Sequence, residues 1–121
     1  METYEGRTAV YARSRVEWRK WLKKNHLAEK AVWLILYHKK SNVKSIGYNE
    51  AMEEALCFGW IDSKAKKRDG ESFYLTFTPR NPKSRWSIPN KERATRMMDQ
   101  ELMTREGQTL IDFAKSTGKW G

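Results

Sequence analysis

Seven consecutive residues, Ala31-Val32-Trp33-Leu34-Ile35-Leu36-Tyr37, are apolar. A strand sends alternate side chains to opposite faces, so a run that is apolar on both parities needs cover on both sides. The run predicts a central strand in a sheet packed on by other structure. It is far too short to span a bilayer as a helix, and no membrane insertion is expected. The 121 residues, 39% hydrophobic with six tryptophans, suffice for one core. Residues 1–121 therefore read as a single domain.

The other segments fall around that strand. Thr8–Tyr11 is a short strand candidate. Ser14-Arg15-Val16-Glu17 has the spacing of a capping box and opens a helix to about Asn25. Trp18, Trp21 and Leu22 form its apolar stripe. Lys39–Gly47 is a polar loop. Tyr48–Phe58 is a second helix, with Ala51, Met52, Ala55 and Leu56 inward and Gly59 placed for a left-handed C-terminal cap. Pro89 suits the first turn of a third helix, whose inward stripe is Ala94, Met97, Met98 and Leu102. Thr104 caps a fourth helix with Leu110, Ile111 and Ala114 inward, and Gly118 ends it. This order predicts an α+β fold: a small, mostly antiparallel sheet with a central hairpin and helices packed against it.

The hairpin comprises Trp60–Lys67 and Ser72–Thr78, both alternating. A two-residue Asp69-Gly70 turn would set Phe77 opposite Asp62 and Phe73 opposite Lys66. A three-residue loop, Arg68-Asp69-Gly70 with Gly70 left-handed, pairs Lys67 with Glu71 instead. It sets Ile61, Ser63 and Ala65 against Phe77, Leu75 and Phe73. Because a slip of one residue flips every side chain, the apolar pattern selects the three-residue loop. The outer face then carries the pairs Trp60 with Thr78, Asp62 with Thr76 and Lys64 with Tyr74.

The net charge of +9 is unevenly spread. Six basic residues and one acid lie between Arg13 and Lys24, and seven basic residues and two acids between Ser63 and Arg85. Such patches concentrate anions around them. An anionic ligand or a protein partner is expected, with nucleic acid as the alternative. A solvated basic surface with no particular partner explains the same charge. One cysteine permits no internal disulfide, and Met1–Arg7 lacks the apolar core of a signal peptide. Both fit a cytoplasmic protein.

No catalytic constellation emerges. A reactive Cys57 needs a basic partner and a lowered pKa, and nothing places His26 or His38 beside it; a buried structural thiol is the reading. One cysteine and two separated histidines make no metal set. No cofactor motif is present. The domain is therefore expected to bind rather than catalyse. The expected ligand site lies where the outer hairpin face meets the Pro79–Ser87 loop, with Trp60, Asp62, Tyr74, Arg80, Lys83, Ser84 and Trp86 as members. Arg80 and Lys83 would hold an anion, Ser84 would add a hydroxyl, and the rings would form a wall. The competing reading makes these residues a clamp that ties the loop to the sheet, with Trp86 plugging the core and Asp62 in a salt bridge. Basic groups beside Trp60, Tyr74 and Trp86 would also suit a single nucleic-acid strand, whose bases stack on rings.

Several motifs resemble the YdeI/OmpD-associated, or bacteriocin-protection, family. They are Tyr48-Asn49-Glu50-Ala51, Ala55-Leu56-Cys57-Phe58-Gly59-Trp60-Ile61-Asp62, Phe77-Thr78-Pro79-Arg80 with Lys83-Ser84, Trp86-Ser87 and Asn90, Met103-Thr104-Arg105-Glu106-Gly107, and the closing Ala114-Lys115 and Gly118-Lys119-Trp120. The resemblance covers about Val32 to Trp120. It implies a bacterial stress or bacteriocin-protection role and no established reaction. Family members commonly continue into a Lys- and Arg-rich helical segment, whereas this chain stops at Gly121, so the segment tied to the protective name is expected to be missing.

Overall fold

The computed structural model describes residues 2–121. Among them, four helices pack against a five-stranded sheet. The elements are β1 (Thr3–Tyr4), β2 (Arg7–Tyr11), α1 (Arg15–Asn25), β3 (Val32–Tyr37), α2 (Tyr48–Cys57), β4 (Trp60–Lys67), β5 (Ser72–Pro79), α3 (Ile88–Asp99) and α4 (Arg105–Ser116). The strand order is β1-β2-β3-β5-β4. β2 and β3 are parallel, since the helical crossover α1 returns the chain in the same direction. The other pairs are antiparallel. The fold is α+β.

β3 lies at the centre of the sheet and is buried from Val32 to Leu36. Val32, Leu34 and Leu36 join the main core with Trp18, Leu22, Met52, Ala55 and Phe77. Trp33 and Ile35 point the other way, into a smaller cluster with Ala9 and Tyr74. No helical residue belongs to that second cluster. Side chains cover it instead: Tyr4 stacks on Tyr74 at 4.4 Å, and the Arg7 guanidinium sits 5.1 Å from the Trp33 ring. Arg68 donates to Glu2, and so does the Tyr74 hydroxyl. These bonds, those from Arg68 foremost, hold the Glu2 carboxyl down at about 2, against partial burial.

The hairpin departs from its expected register. Trp60, Ile61 and Asp62 lie opposite Pro79, Thr78 and Phe77, while Ala65, Lys66 and Lys67 lie opposite Leu75, Tyr74 and Phe73. Between these segments β4 carries one extra residue, a bulge at Ser63-Lys64. Asp62 thus faces Phe77, the pairing that the apolar pattern rejects. The reason lies on the other side of β5, where Phe73, Leu75 and Phe77 pair with Leu36, Leu34 and Val32. The apolar residues of β5 are matched there, and β4 is free to be a polar edge strand rather than part of a central hairpin. Gly70 is not left-handed. The Asp69 carboxylate closes the turn, accepting from the Glu71 N–H at 2.8 Å and the Ser72 hydroxyl at 2.9 Å.

Two helix caps also differ from expectation. Ser14 occupies the N-cap without a side-chain cap bond, and Glu17 accepts from the Arg13 N–H at 2.7 Å. The Thr104 hydroxyl donates to the Cys57 carbonyl and so does not cap α4. Ser87 does cap α3, accepting from the Asn90 N–H. Gly59 is left-handed, with φ of 75°.

Candidate functional site

α4 is drawn tightly onto the end of α2. A Cβ at Gly107 would lie 2.5 Å from the Cys57 carbonyl oxygen and 2.7 Å from that of Leu56, so only glycine permits this approach. The contact sets the first turn of α4 beside Phe58 and Gly59. β5 arrives at the same place, because the Arg80 N–H donates to the Gly59 carbonyl at 2.8 Å. The end of α1 supplies His26 and Leu27. Together they frame an open cleft of about 380 Å³, lined by His26, Leu27, Phe58, Gly59, Trp60, Pro79, Arg80, Arg105, Glu106, Thr109 and Leu110.

Arg80 is the unusual group in this cleft. It is only 8% exposed, and a charge so buried ordinarily has an opposite charge beside it. Among the described residues no carboxylate pairs with it. Its Nη2 donates to the Ser84 and Arg85 carbonyls at 3.3 and 3.1 Å, and its guanidinium lies 4.1 Å from the Trp86 ring centre. Nε and Nη1 find no acceptor among the described residues. Burial depresses its pKa with nothing to offset it.

The rest of the lining is mixed. Arg105 is exposed at the start of α4. The N–H groups of that first turn have no side-chain cap and point at whatever occupies the helix end. The His26 ring lies edge-on to Phe58, with Nδ1 2.7 Å from the Leu22 carbonyl and Nε2 3.2 Å from the Glu106 carboxylate. Phe58 and Trp60 form an apolar floor, 4% and 1% exposed. Leu27, Pro79 and Leu110 stand at its walls.

The structure brings together part of the expected set and separates the rest. Trp60 and Arg80 line the cleft, Trp86 backs Arg80, and Ser84 contributes its carbonyl rather than its hydroxyl. Lys83 is exposed in the loop, its N–H bonded to the Asn81 side chain. Trp60 and Asp62 face the helices rather than the outer face. Trp60 belongs to the main core, and Asp62 accepts from the Tyr48 hydroxyl at 3.0 Å instead of forming a salt bridge. Tyr74 lies on the opposite face of the sheet, with Tyr4 and Trp33. The bulge and the edge position of β4 undo the outer face that the register of the three-residue loop would have built. His26, Arg105, Glu106 and Leu110 escape sequence reasoning, since only the α2–α4 contact gathers them. Gly107, a glycine in the first turn of a helix, is the one signal of that contact.

Cys57 is fully buried, and desolvation pushes its thiol up to about 11 despite the nearby Arg19 guanidinium. It is a packing residue. Among the described residues no helix is long and apolar enough to cross a membrane. Residues 10–110 match a family model described as a domain of unknown function, DUF8412. No curated protein and no solved structure matches the chain.

Proposed function

This chain belongs to the DUF8412 family, and we propose that it is a non-catalytic binding module that holds an anionic ligand in the cleft at the start of α4. The observation that carries this reading is Arg80, a buried guanidinium with no carboxylate partner at the wall of an open cleft. Nε and Nη1 are not sealed from solvent, so an anion that enters the cleft can reach them and supply the opposite charge that Arg80 lacks. The exposed Arg105 and the uncapped first turn of α4 act in the same direction. Arg80 also clamps the loop through Ser84, Arg85 and Trp86. The two roles combine in one side chain, because the clamp uses Nη2 and leaves Nε and Nη1. With the binding role we keep the protective role that the YdeI/OmpD-associated resemblance implies, as one cellular use of such a module.

The nucleic-acid alternative has less support. Binders of single strands present rings to bases, and each of the six tryptophans here is buried or half-buried.

Titration of the ¹⁵N-labelled chain with inorganic phosphate and with acetate at low ionic strength tests the reading. The expected result is saturable amide shifts at Gly59, Arg80, Arg105 and Glu106. The exposed Arg105→Gln should weaken them severalfold without lowering the melting temperature. No shift at these positions with either anion would remove the proposal.

A further inference from the structure

We propose that the cleft is built for an organic monocarboxylate whose charged end meets Arg80 and whose apolar body lies between Leu27, Pro79 and Leu110 on the floor of Phe58 and Trp60. The inference rests on the anion-binding reading above and adds the chemical class of the ligand.

Charge sets the first limit. Arg80 and Arg105 bring two positive groups to the cleft, and Glu106 brings a negative one. With His26, which faces Glu106 and is charged only when protonated, kept out of the count, the balance suits a ligand with one negative charge. A phosphate monoester, near two negative charges at neutral pH, would place the second against Glu106, where like charges in a partly dry cleft repel.

The donors set the second limit. Arg80 has already committed Nη2 to two carbonyls. What remains is Nε–H and Nη1, enough for the one or two oxygens of a carboxylate. At Arg80 itself a phosphate group would find no third free donor nitrogen, and its remaining oxygens would have to reach Arg105 across the apolar part of the lining.

The remaining surface sets the third limit. Five of the eleven lining residues are Leu27, Phe58, Trp60, Pro79 and Leu110, which a bare inorganic anion would leave unused. A volume of about 380 Å³ lies at the small end of ligand pockets and fits a body of one or two rings.

A matched set of probes on the full chain decides the matter. Phenylacetate, phenylacetamide and phenyl phosphate share a ring and differ in the head group. Titration calorimetry and amide shifts should show phenylacetate binding at Gly59, Arg80 and Glu106. The amide, lacking the charge, should bind at least ~10-fold more weakly, the equivalent of about 1.4 kcal/mol. Phenyl phosphate should bind more weakly than phenylacetate to the native chain and gain more from Glu106→Gln. Arg80→Gln should abolish phenylacetate binding. Because that variant also loosens the loop, Leu110→Trp serves as a second: it fills the cleft from a partly exposed position and should abolish binding while Arg80 is intact. Equal binding of the amide, or unchanged binding in Leu110→Trp, overturns the proposal. Tighter binding of phenyl phosphate at the same residues overturns the carboxylate assignment and leaves the anion-binding reading standing. No shift at the cleft with either anion overturns both.

Discussion

Gly107 does more for the shape of this protein than any other residue without a side chain. The carbonyl oxygens of Leu56 and Cys57 sit where its Cβ would be, and both belong to backbone that cannot swing aside. Gly107→Ala should therefore push α4 away from α2. The expected cost is about 3 kcal/mol, the upper end of overpacking, read as a lower urea midpoint with an unchanged slope. A cost below about 1 kcal/mol would mean that the helices separate freely. Because Arg105, Glu106 and Leu110 ride on α4, the same variant should lose the cleft. Arg80 is the complementary case, a residue that the sequence marks and whose geometry it does not show. Its place among Pro79, Asn81, Ser84 and Trp86 marks it in the sequence as an anion holder or a clamp. Only the fold shows that Nη2 does the clamping and leaves the other nitrogens unbonded.

The elements themselves were largely legible from periodicity, and their pairing was not. The stripes of α1 and α2, the both-sided burial of β3 and the left-handed Gly59 follow from local rules that the chain obeys. The hairpin register fails because matching β4 to β5 treats the pair as isolated, while β5 satisfies its apolar side chains against β3. A two-strand argument cannot see a third strand. β1 was missed for a similar reason: two residues carry no period, and the strand is held by Glu2 and Tyr4 reaching across the sheet. That anchor gives a pH signature. The Glu2 carboxyl sits at about 2 in the folded chain against an ordinary 4.5. A group whose folded value is depressed stabilises the fold fully above its unfolded value and loses that contribution as pH falls toward the folded one. The Glu2 contribution should therefore be lost, and the arm loosen, as pH falls from about 4.5 to 2. Glu2 is partly exposed, so the contribution is modest, below about 1 kcal/mol. Amide shifts of Tyr4 and Arg7 should follow this titration, and Glu2→Gln should flatten it.

Across the molecule, charge is spent inside as well as outside. Glu54 is 2% exposed and Glu53 9%, although on a helix written from sequence both look like solvent positions. They are buried because α2 is surrounded, with α1 on one side and α3 and α4 on others. Arg15 pairs with both glutamates, Arg19 reaches Glu54 at 2.8 Å and Arg96 reaches Glu53 at 2.9 Å. Burial acts to raise the Glu53 carboxyl, and the Arg15 and Arg96 guanidiniums outweigh it, leaving it below the usual range. Two of the six basic residues between Arg13 and Lys24, Arg15 and Arg19, are thus part of a seam between helices rather than of a free surface patch. Removing one partner strands the others: Glu54→Ala should cost about 3 kcal/mol in urea unfolding. Replacing Glu54, Arg15 and Arg19 together by Leu, Met and Met should cost much less, since no charge is then left unpaired. Equal costs for the two variants would show that packing volume, and not charge, sets the stability of the seam.

The position of β3 also governs the order in which the chain assembles. Its partners on β5 lie from 35 residues away (Tyr37 with Ser72) to 45 (Val32 with Phe77). Closing such loops costs chain entropy before any contact offsets it. β4 and β5 meet across the short Asp69 turn and can form early, presenting β5 as the template on which β3 docks. Asp69→Ala should then slow folding and leave unfolding nearly unchanged, whereas Val32→Ala should chiefly speed unfolding. Stopped-flow measurements separate the two, and the opposite pattern would place nucleation in the β2-α1-β3 half of the chain.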